Sequence, residues 1–253
     1  MDARTSVDLL RVSPRCRAHH ADGDARMVKA QPSAARGKRS RTQATRAADT
    51  RQALIDATVR LLHRLGYSGT TTERIAEEAG ISRGALQYHF STRSQLMEEV
   101  LAAVYADERD AYLRIIHHSD RGNHASDWPE LMWEVLSRPA GVAVLEILQA
   151  SRSDPELASK VVPVQAALDR AGIAVLDRFS DTDEAEQLAR LRFFHWAIRG
   201  LSISSILTST PDDVGRSVRF MRDLIKAAVA AGLMTETPRH APDVPPSPPD
   251  RDP

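Results

Sequence analysis

The sequence contains very little cysteine and no long apolar run. Its single cysteine, Cys16, lies in a polar stretch, so neither an internal disulfide nor a cysteine metal site is available. No apolar run approaches the ~20 residues that a membrane-spanning helix requires, and the first residues lack the apolar core of a signal peptide. We therefore expect a cytoplasmic protein without a membrane partner.

Aromatic residues and glycine are also scarce. Aromatics make up 5% of the 253 residues and glycine occupies 12 positions, whereas 42% of the chain is apolar and alanine and leucine abound. This balance favours helices over a β-sandwich or barrel, and the length allows one or two domains with real cores. The composition predicts an all-α protein.

Proline is absent from a long part of the chain and concentrated at its end. None occurs between Ser33 and Trp128, and seven of the 14 prolines lie in residues 238–253. Because proline disrupts helix interiors, the proline-free part can hold several uninterrupted helices. The proline-rich end predicts a disordered tail rather than a core element.

The formal net charge of zero conceals an asymmetry along the chain. Residues 1–50 carry 11 Lys+Arg against 5 Asp+Glu, residues 51–104 carry 6 against 6, and residues 105–253 carry 17 against 23. No acid occurs between Ala25 and Ala48. Two interpretations remain open for this basic arm: it binds a polyanion such as DNA, or it is a solvated tail without a target.

Residues 50–105 predict four helices in close succession. An apolar stripe ends at Gly66, Thr70 and Glu73 stand at capping-box spacing, and Gly80 ends a short helix by permitting positive φ. Ser82 then starts a third helix and Thr92 a fourth. Two short helices joined by a glycine turn predict a helix-turn-helix unit, although a purely structural helical hairpin shares this pattern.

The exposed face predicted for the third helix favours DNA over the structural hairpin. It concentrates hydrogen-bond donors and aromatic surface in Arg83, Gln87, Tyr88 and His89. Glutamine can bond adenine with two hydrogen bonds, and arginine can bond guanine or phosphate. The pattern therefore predicts a helix that enters the major groove.

The segment TTERIAEEAGISRGALQYHF (residues 71–90), followed by STRSQL, resembles the DNA-binding domain of the TetR/AcrR family of bacterial transcriptional regulators. The resemblance covers roughly residues 50–105. It implies a homodimeric, all-helical repressor that a small-molecule effector releases from a palindromic operator in double-stranded DNA. It implies neither a cofactor nor an enzymatic activity.

The resemblance assigns roles residue by residue. Thr71 and Thr72 are expected to contact phosphate, and Arg93 to bind phosphate at the start of the fourth helix, where the family usually has lysine. The residues expected in or beside the groove are Arg83, Gly84, Gln87, Tyr88 and His89. Gln87 departs from the tyrosine common at its position, which leaves the operator sequence open.

Four segments are predicted along the chain. Residues 1–46 form a disordered basic arm, residues 47–105 the helix-turn-helix DNA-binding domain (the head), residues 106–235 a helical effector-binding and dimerisation domain (the body), and residues 236–253 a disordered Pro-rich tail. The expected effector-pocket residues are Trp128, Trp133, Phe194 and Trp196. The expected dimer-interface residues are Leu191, Ile198, Val218, Met221 and Ile225. Both sets have an alternative role in the core of a single protomer.

Two other functions are weighed against the repressor. One is an effector-independent activator or DNA-organising protein. The other, more remote, is a metal-dependent enzyme that uses His117, His118, Asp120 and His124. The spacing of this cluster matches no common zinc pattern, and the sequence contains no P-loop, nucleophile elbow or dinucleotide fingerprint.

Overall fold

The computed structural model of the protein describes residues 34–176, 179, 182–207 and 211–237. Cys16, the first 33 residues of the basic arm and the tail from residue 238 onward lie outside this part. Within it, the secondary structure is helical and contains no strand, which confirms the all-α class.

The described residues form nine α-helices and one short 3-10 turn. The helices are α1 (Ala34–Gly69), α2 (Thr72–Ala79), α3 (Arg83–His89), α4 (Arg93–His118), α5 (Trp128–Leu136), α6 (Pro139–Ser151), α7 (Pro155–Leu176), α8 (Glu184–Leu207) and α9 (Pro211–Ala230). The 3-10 turn spans Ala125–Asp127. None of the described helices combines the length and apolar character needed to cross a bilayer.

The chain divides into two compact units, residues 1–43 and residues 44–253. In the first unit, α1 begins at Ala34, so residues 34–46 are helical where the sequence predicted a disordered arm. The difference has a simple cause: no proline occurs between Pro32 and Pro129, and the segment is rich in arginine and alanine, which favour helix. The head and the body both lie in the second unit.

One hydrophobic core joins the head to the body. It contains Leu54 and Leu61 of α1 and Val100 of α4, and it continues through Ala143 and Ile147 of α6. The predicted boundary at residue 105 falls inside α4, which runs without interruption from the head into the body. Head and body therefore share packing as well as a helix.

The body contains two further cores, formed where α8 and α9 pack on α4 and α5. Ile198, Val218, Met221 and Ile225 are buried in them, and Leu191 lies against the backbone of Gly172 in α7. These five residues are the ones predicted for the dimer interface. Four of them are buried within the protomer and Leu191 is half-buried, so little of their surface is left for contact with a second copy.

Candidate nucleic-acid interface

The first helix of the motif, α2, is capped by Thr71. The Thr71 hydroxyl accepts a hydrogen bond from the backbone N–H of Arg74 at 3.4 Å, and its backbone is extended. The N-cap is therefore Thr71, and the capping box expected from the spacing of Thr70 and Glu73 does not form. Thr70 is instead buried and donates to the carbonyl of Gly66 at 2.7 Å. The cap leaves Thr71 exposed and Thr72 half-buried at the start of α2.

The turn between α2 and α3 has the predicted geometry. Gly80 has φ 65° and ψ 30°, a left-handed conformation that glycine adopts without steric cost, and its N–H bonds the last carbonyls of α2. The hydroxyl of Ser82 then caps α3 by accepting from the N–H of Ala85 at 3.2 Å. Buried Ile75 and Leu86 fill the angle between the two helices.

Helix α3 presents nearly all of its side chains outward. Of its seven residues only Leu86 is buried, and Tyr88 has 85% of its surface exposed. Arg83, Gly84 and Gln87 are also exposed, and His89 is half-buried with its ring edge-on to that of Tyr88 at 5.4 Å. The residues predicted for the groove therefore occupy one accessible surface, which we call the α3 face: Arg83, Gly84, Gln87, Tyr88 and His89.

Arginines pair with Glu73 and Glu78, two of the three acidic residues of α2. Glu78 accepts hydrogen bonds from Arg64 and Arg60 of α1 at 2.8 and 2.9 Å, and these bonds lower the pKa of its carboxyl group. Glu73 lies 2.5 Å from Arg83 of α3. Backbone and Thr71 hydrogen bonds, together with the Arg83 charge, lower the pKa of Glu73. The pairing reduces the repulsion that α2 would otherwise exert on a phosphate backbone.

Arg93, predicted to bind phosphate, has an internal contact as well. Its Nη2 donates to the carbonyl oxygen of Tyr67 at 2.5 Å, and its guanidinium carbon lies 3.9 Å above the centre of the Tyr67 ring. No hydrogen bond from its Nη1 to a described residue is present, so that nitrogen is available to an anion. Arg93 therefore joins the loop after α1 to the first turn of α4, where the helix dipole favours a phosphate.

The residues predicted for an effector pocket do not form one group. Trp128 lies between Tyr112, at 6.1 Å between ring centres, and Phe179, at 6.4 Å, while Trp133 and Phe194 border the same cores. Trp196 instead is 40% exposed and is not among the residues of these cores, which does not favour its predicted role in the pocket. The indole N–H of Trp128 is buried and has no hydrogen-bond partner among the described residues.

A buried ion pair connects three helices of the body. Arg199 of α8 is fully buried, and its Nη2 donates to both carboxylate oxygens of Glu108 in α4 at 2.9 and 2.8 Å. Its Nη1 bonds the carbonyl of Gly141 in α6, and its Nε contacts His195. Burial, assisted by the nearby Arg199 charge, lowers the pKa of His195 to about 4.

The histidine cluster of residues 117–124 does not converge in the part of it that the structure describes. His118 Nδ1 bonds the carbonyl of Arg114, while His124 faces Glu236 at 4.0 Å. Among the described residues, no three side chains of the metal-binding types lie close enough together to hold an ion.

The head has recognised relatives. Residues 54–100 match the family model for bacterial regulatory proteins of the tetR family. The head is therefore similar to the DNA-binding part of tetR-family regulators. The HTH-type transcriptional regulator SrpR of Pseudomonas putida is 38% identical over 64 residues, which are 25% of this chain and 30% of SrpR. AcrR of Shigella flexneri is 41% identical over 54 residues, or 21% of this chain and 25% of AcrR. The match thus spans less than a third of either relative.

Solved structures show that the fold extends beyond the head. A TetR-family regulator from Rhodococcus sp. superposes on 70% of this chain and 98% of its own, with a TM-score of 0.57 and 18% identity. A transcriptional regulator from Saccharomonospora viridis, determined in complex with choline, covers 75% of this chain with a TM-score of 0.53 and 19% identity. At these identities the similarity concerns the fold alone.

Sequence reasoning missed two parts of this site. One is the pairing of Arg60 and Arg64 with Glu78. The sequence held a partial signal for it, because arginines four residues apart share one face of a helix and can bind the same carboxylate. The contact between the Tyr67 backbone N–H and Glu146 of α6 had no signal, since the two residues are separated by 79 positions.

Proposed function

We propose that this chain is a DNA-binding transcriptional regulator that inserts α3 into the major groove of double-stranded DNA. One observation carries the proposal: α3 buries only Leu86 and leaves the α3 face open. A helix that served only to complete a core would bury more of its seven residues. The salt bridge between Arg83 and Glu73 is exposed, so little free energy is lost if Arg83 turns towards a base or phosphate.

Selection of bound duplexes from a random library tests this function directly. We expect purified protein to enrich a palindromic sequence. Gln87→Ala should relax the preference at one base pair per half-site at a cost of about 1–3 kcal/mol, because glutamine reads a base edge. Lys226→Ala, a change at an exposed position of α9, is the matched control and should leave selection unchanged. Failure to enrich any sequence at low salt would refute the proposal.

We also propose a homodimer, formed through a surface different from the one that the sequence predicted. Large apolar side chains remain exposed on the outer side of the last two helices: Phe193, Trp196, Ile203 and Leu207 on α8, and Phe220 and Leu224 on α9. We call this the outer face. Those of α8 recur at intervals of three, seven and four residues, which suits packing against a second helix pair. Two α3 helices held about 34 Å apart would read successive major grooves.

The oligomeric state tests the dimer. Phe220→Glu should convert the protein to a monomer in sedimentation velocity, because it would place a charge in an apolar interface. Val162→Glu introduces the same charge at an equally exposed apolar position of α7 and should leave the dimer intact. A wild-type monomer at concentrations where DNA is bound would contradict the proposal.

The release of DNA by a small-molecule effector completes the proposed function. The buried indole N–H of Trp128, unpaired within the described residues and surrounded by aromatic rings, supports an aromatic site in the body. Tryptophan fluorescence titrated with a panel of aromatic and quaternary ammonium compounds would find such an effector. Trp128→Phe should weaken its binding, whereas Trp196→Phe, on the outer face, should not.

A further inference from the structure

Tyr67 makes polar contacts with both the body and the start of α4. Its backbone N–H donates to a carboxylate oxygen of Glu146 in α6 at 2.7 Å. The Tyr67 carbonyl accepts a hydrogen bond from Arg93. The guanidinium carbon of Arg93 lies 3.9 Å from the centre of the Tyr67 ring. A single residue thus connects a helix of the body to the first turn of α4.

The backbone at Gly66 explains why Glu146 is needed there. Gly66 has φ 68° and ψ 178°, which interrupts α1 and turns the N–H of Tyr67 away from the helical hydrogen-bond pattern. A partly buried N–H without an acceptor costs free energy, and a carboxylate supplies a strong acceptor. The Glu146 carboxylate also lies over the glycine, because a Cβ built on Gly66 would be 3.1 Å from Glu146 Oε2.

The other end of this connection is Arg93, the first residue of α4. Three residues separate it from the end of α3, its Nη2 is occupied by Tyr67, and its Nη1 has no partner among the described residues. The cation–π contact and the hydrogen bond together fix the orientation of the guanidinium. An arginine held in this way can bind a phosphate without first losing side-chain freedom.

We propose that Glu146 is a positioning residue for DNA binding. By holding Tyr67 it keeps Arg93 oriented towards the phosphate backbone, and it makes the DNA affinity of the head depend on the placement of α6. This inference rests on the proposed function. A rearrangement of the body that withdraws the Glu146 carboxylate releases Tyr67 and allows Arg93 to move, without any change in the α3 face itself.

The test compares three variants of the full-length chain on a duplex of about 30 base pairs, selected by the wild-type protein. Glu146→Leu removes the acceptor and should weaken DNA binding about tenfold. Glu146→Gln retains an acceptor oxygen and should stay within about threefold of the wild type. Glu134→Leu makes the same change at an exposed ion pair of α5 and should have no effect. Glu146→Ala serves if Glu146→Leu does not fold.

Salt dependence and a double-mutant cycle separate positioning from general damage. If Arg93 no longer neutralises a phosphate, the slope of log Kobs against log[salt] should become shallower by about 0.9 per protomer. Arg93→Met should show the same change, and adding Glu146→Leu to it should weaken binding by no more than about twofold further. If Glu146→Leu instead damaged the fold in general, its loss of DNA affinity would add to the loss caused by Arg93→Met.

Each outcome bears on one proposal. A wild-type protein that binds no duplex contradicts the proposed function and not this inference. A wild-type protein that binds DNA, together with Glu146 variants that keep its affinity and salt slope, overturns the role of Glu146. Independent, additive effects of Glu146→Leu and Arg93→Met overturn it as well, because they show that the two residues do not act through one connection.

Discussion

Removing one partner of the buried ion pair should destabilise the protein far more than removing both. Glu108→Leu leaves the guanidinium of Arg199, which is fully buried, with only the carbonyl of Gly141 and the ring of His195 as polar contacts. Loss of one partner of a buried pair costs about 3–5 kcal/mol of unfolding free energy, because the remaining charge stays desolvated. Arg199→Leu should cost a similar amount, since it leaves the Glu108 carboxylate buried.

The double variant Glu108→Leu/Arg199→Leu should be much more stable than the sum of the two single changes predicts. Neither charge remains to be desolvated, and apolar replacement of a whole buried pair is often close to neutral. We therefore expect a coupling free energy of at least about 2 kcal/mol between the two positions. The exposed pairs of Arg216 with Asp212 and Asp213 provide the contrast, because Arg216→Ala should cost less than about 1 kcal/mol.

Urea unfolding at one fixed protein concentration measures these free energies, since the proposed dimer would make the stability concentration-dependent. Circular dichroism at neutral pH follows the loss of helix. Single variants that lose less than about 1 kcal/mol, or a double variant whose loss equals the sum of the single losses, would refute the reasoning. Such a result would mean that water or a backbone shift compensates the remaining charge.

Two further predictions concern pH and the glycines of the motif. Because the pKa of His195 is about 4 in the folded protein against 6.5 when unperturbed, protonation favours unfolding. Unfolding free energy should be nearly constant above about pH 7.5 and fall by about 2 kcal/mol as the pH decreases from 7.5 to 5. His195→Gln should flatten this profile; an unchanged slope would contradict it. Gly80→Ala should cost about 1–2 kcal/mol, because the left-handed backbone there strains any side chain. Gly84→Ala meets open space and should preserve or raise the melting temperature while weakening DNA binding; unaltered affinity would show that the α3 backbone does not approach DNA closely.

Local signals in the sequence predicted the helix-turn-helix well. The left-handed glycine at Gly80, the hydroxyl caps at Ser82 and Thr92, and the exposure of Gln87 and Tyr88 all agree with the structure. Each follows from the chemistry of one or two neighbouring residues. The displaced cap marks the limit of this approach: adjacent Thr70 and Thr71 carry the same hydroxyl group, and only the break in α1 decides which of them caps α2.

Contacts between segments that are distant in the sequence could not be predicted from such local signals. An amphipathic stripe shows that one face of a helix is apolar, but it does not show whether that face meets the same protomer or a second copy. Ile198 and Met221 therefore fitted a dimer interface equally well until their burial within the protomer was known. The contacts of Arg93 with Tyr67 and of Tyr67 with Glu146 depend on the packing of distant segments and leave no periodic signature.

The core shared between α1, α4, α6 and α7 has a consequence for engineering new sensors. A fragment ending at residue 105 would cut α4 and uncover Leu101 and Val104, which α6 and α7 now help to shield. Exchange of heads between related proteins would leave mismatched surfaces where the head meets α6 and α7. Chimeras should therefore include α6 and the first turns of α7 together with the head, so that all the residues that pack in this core come from the same protein.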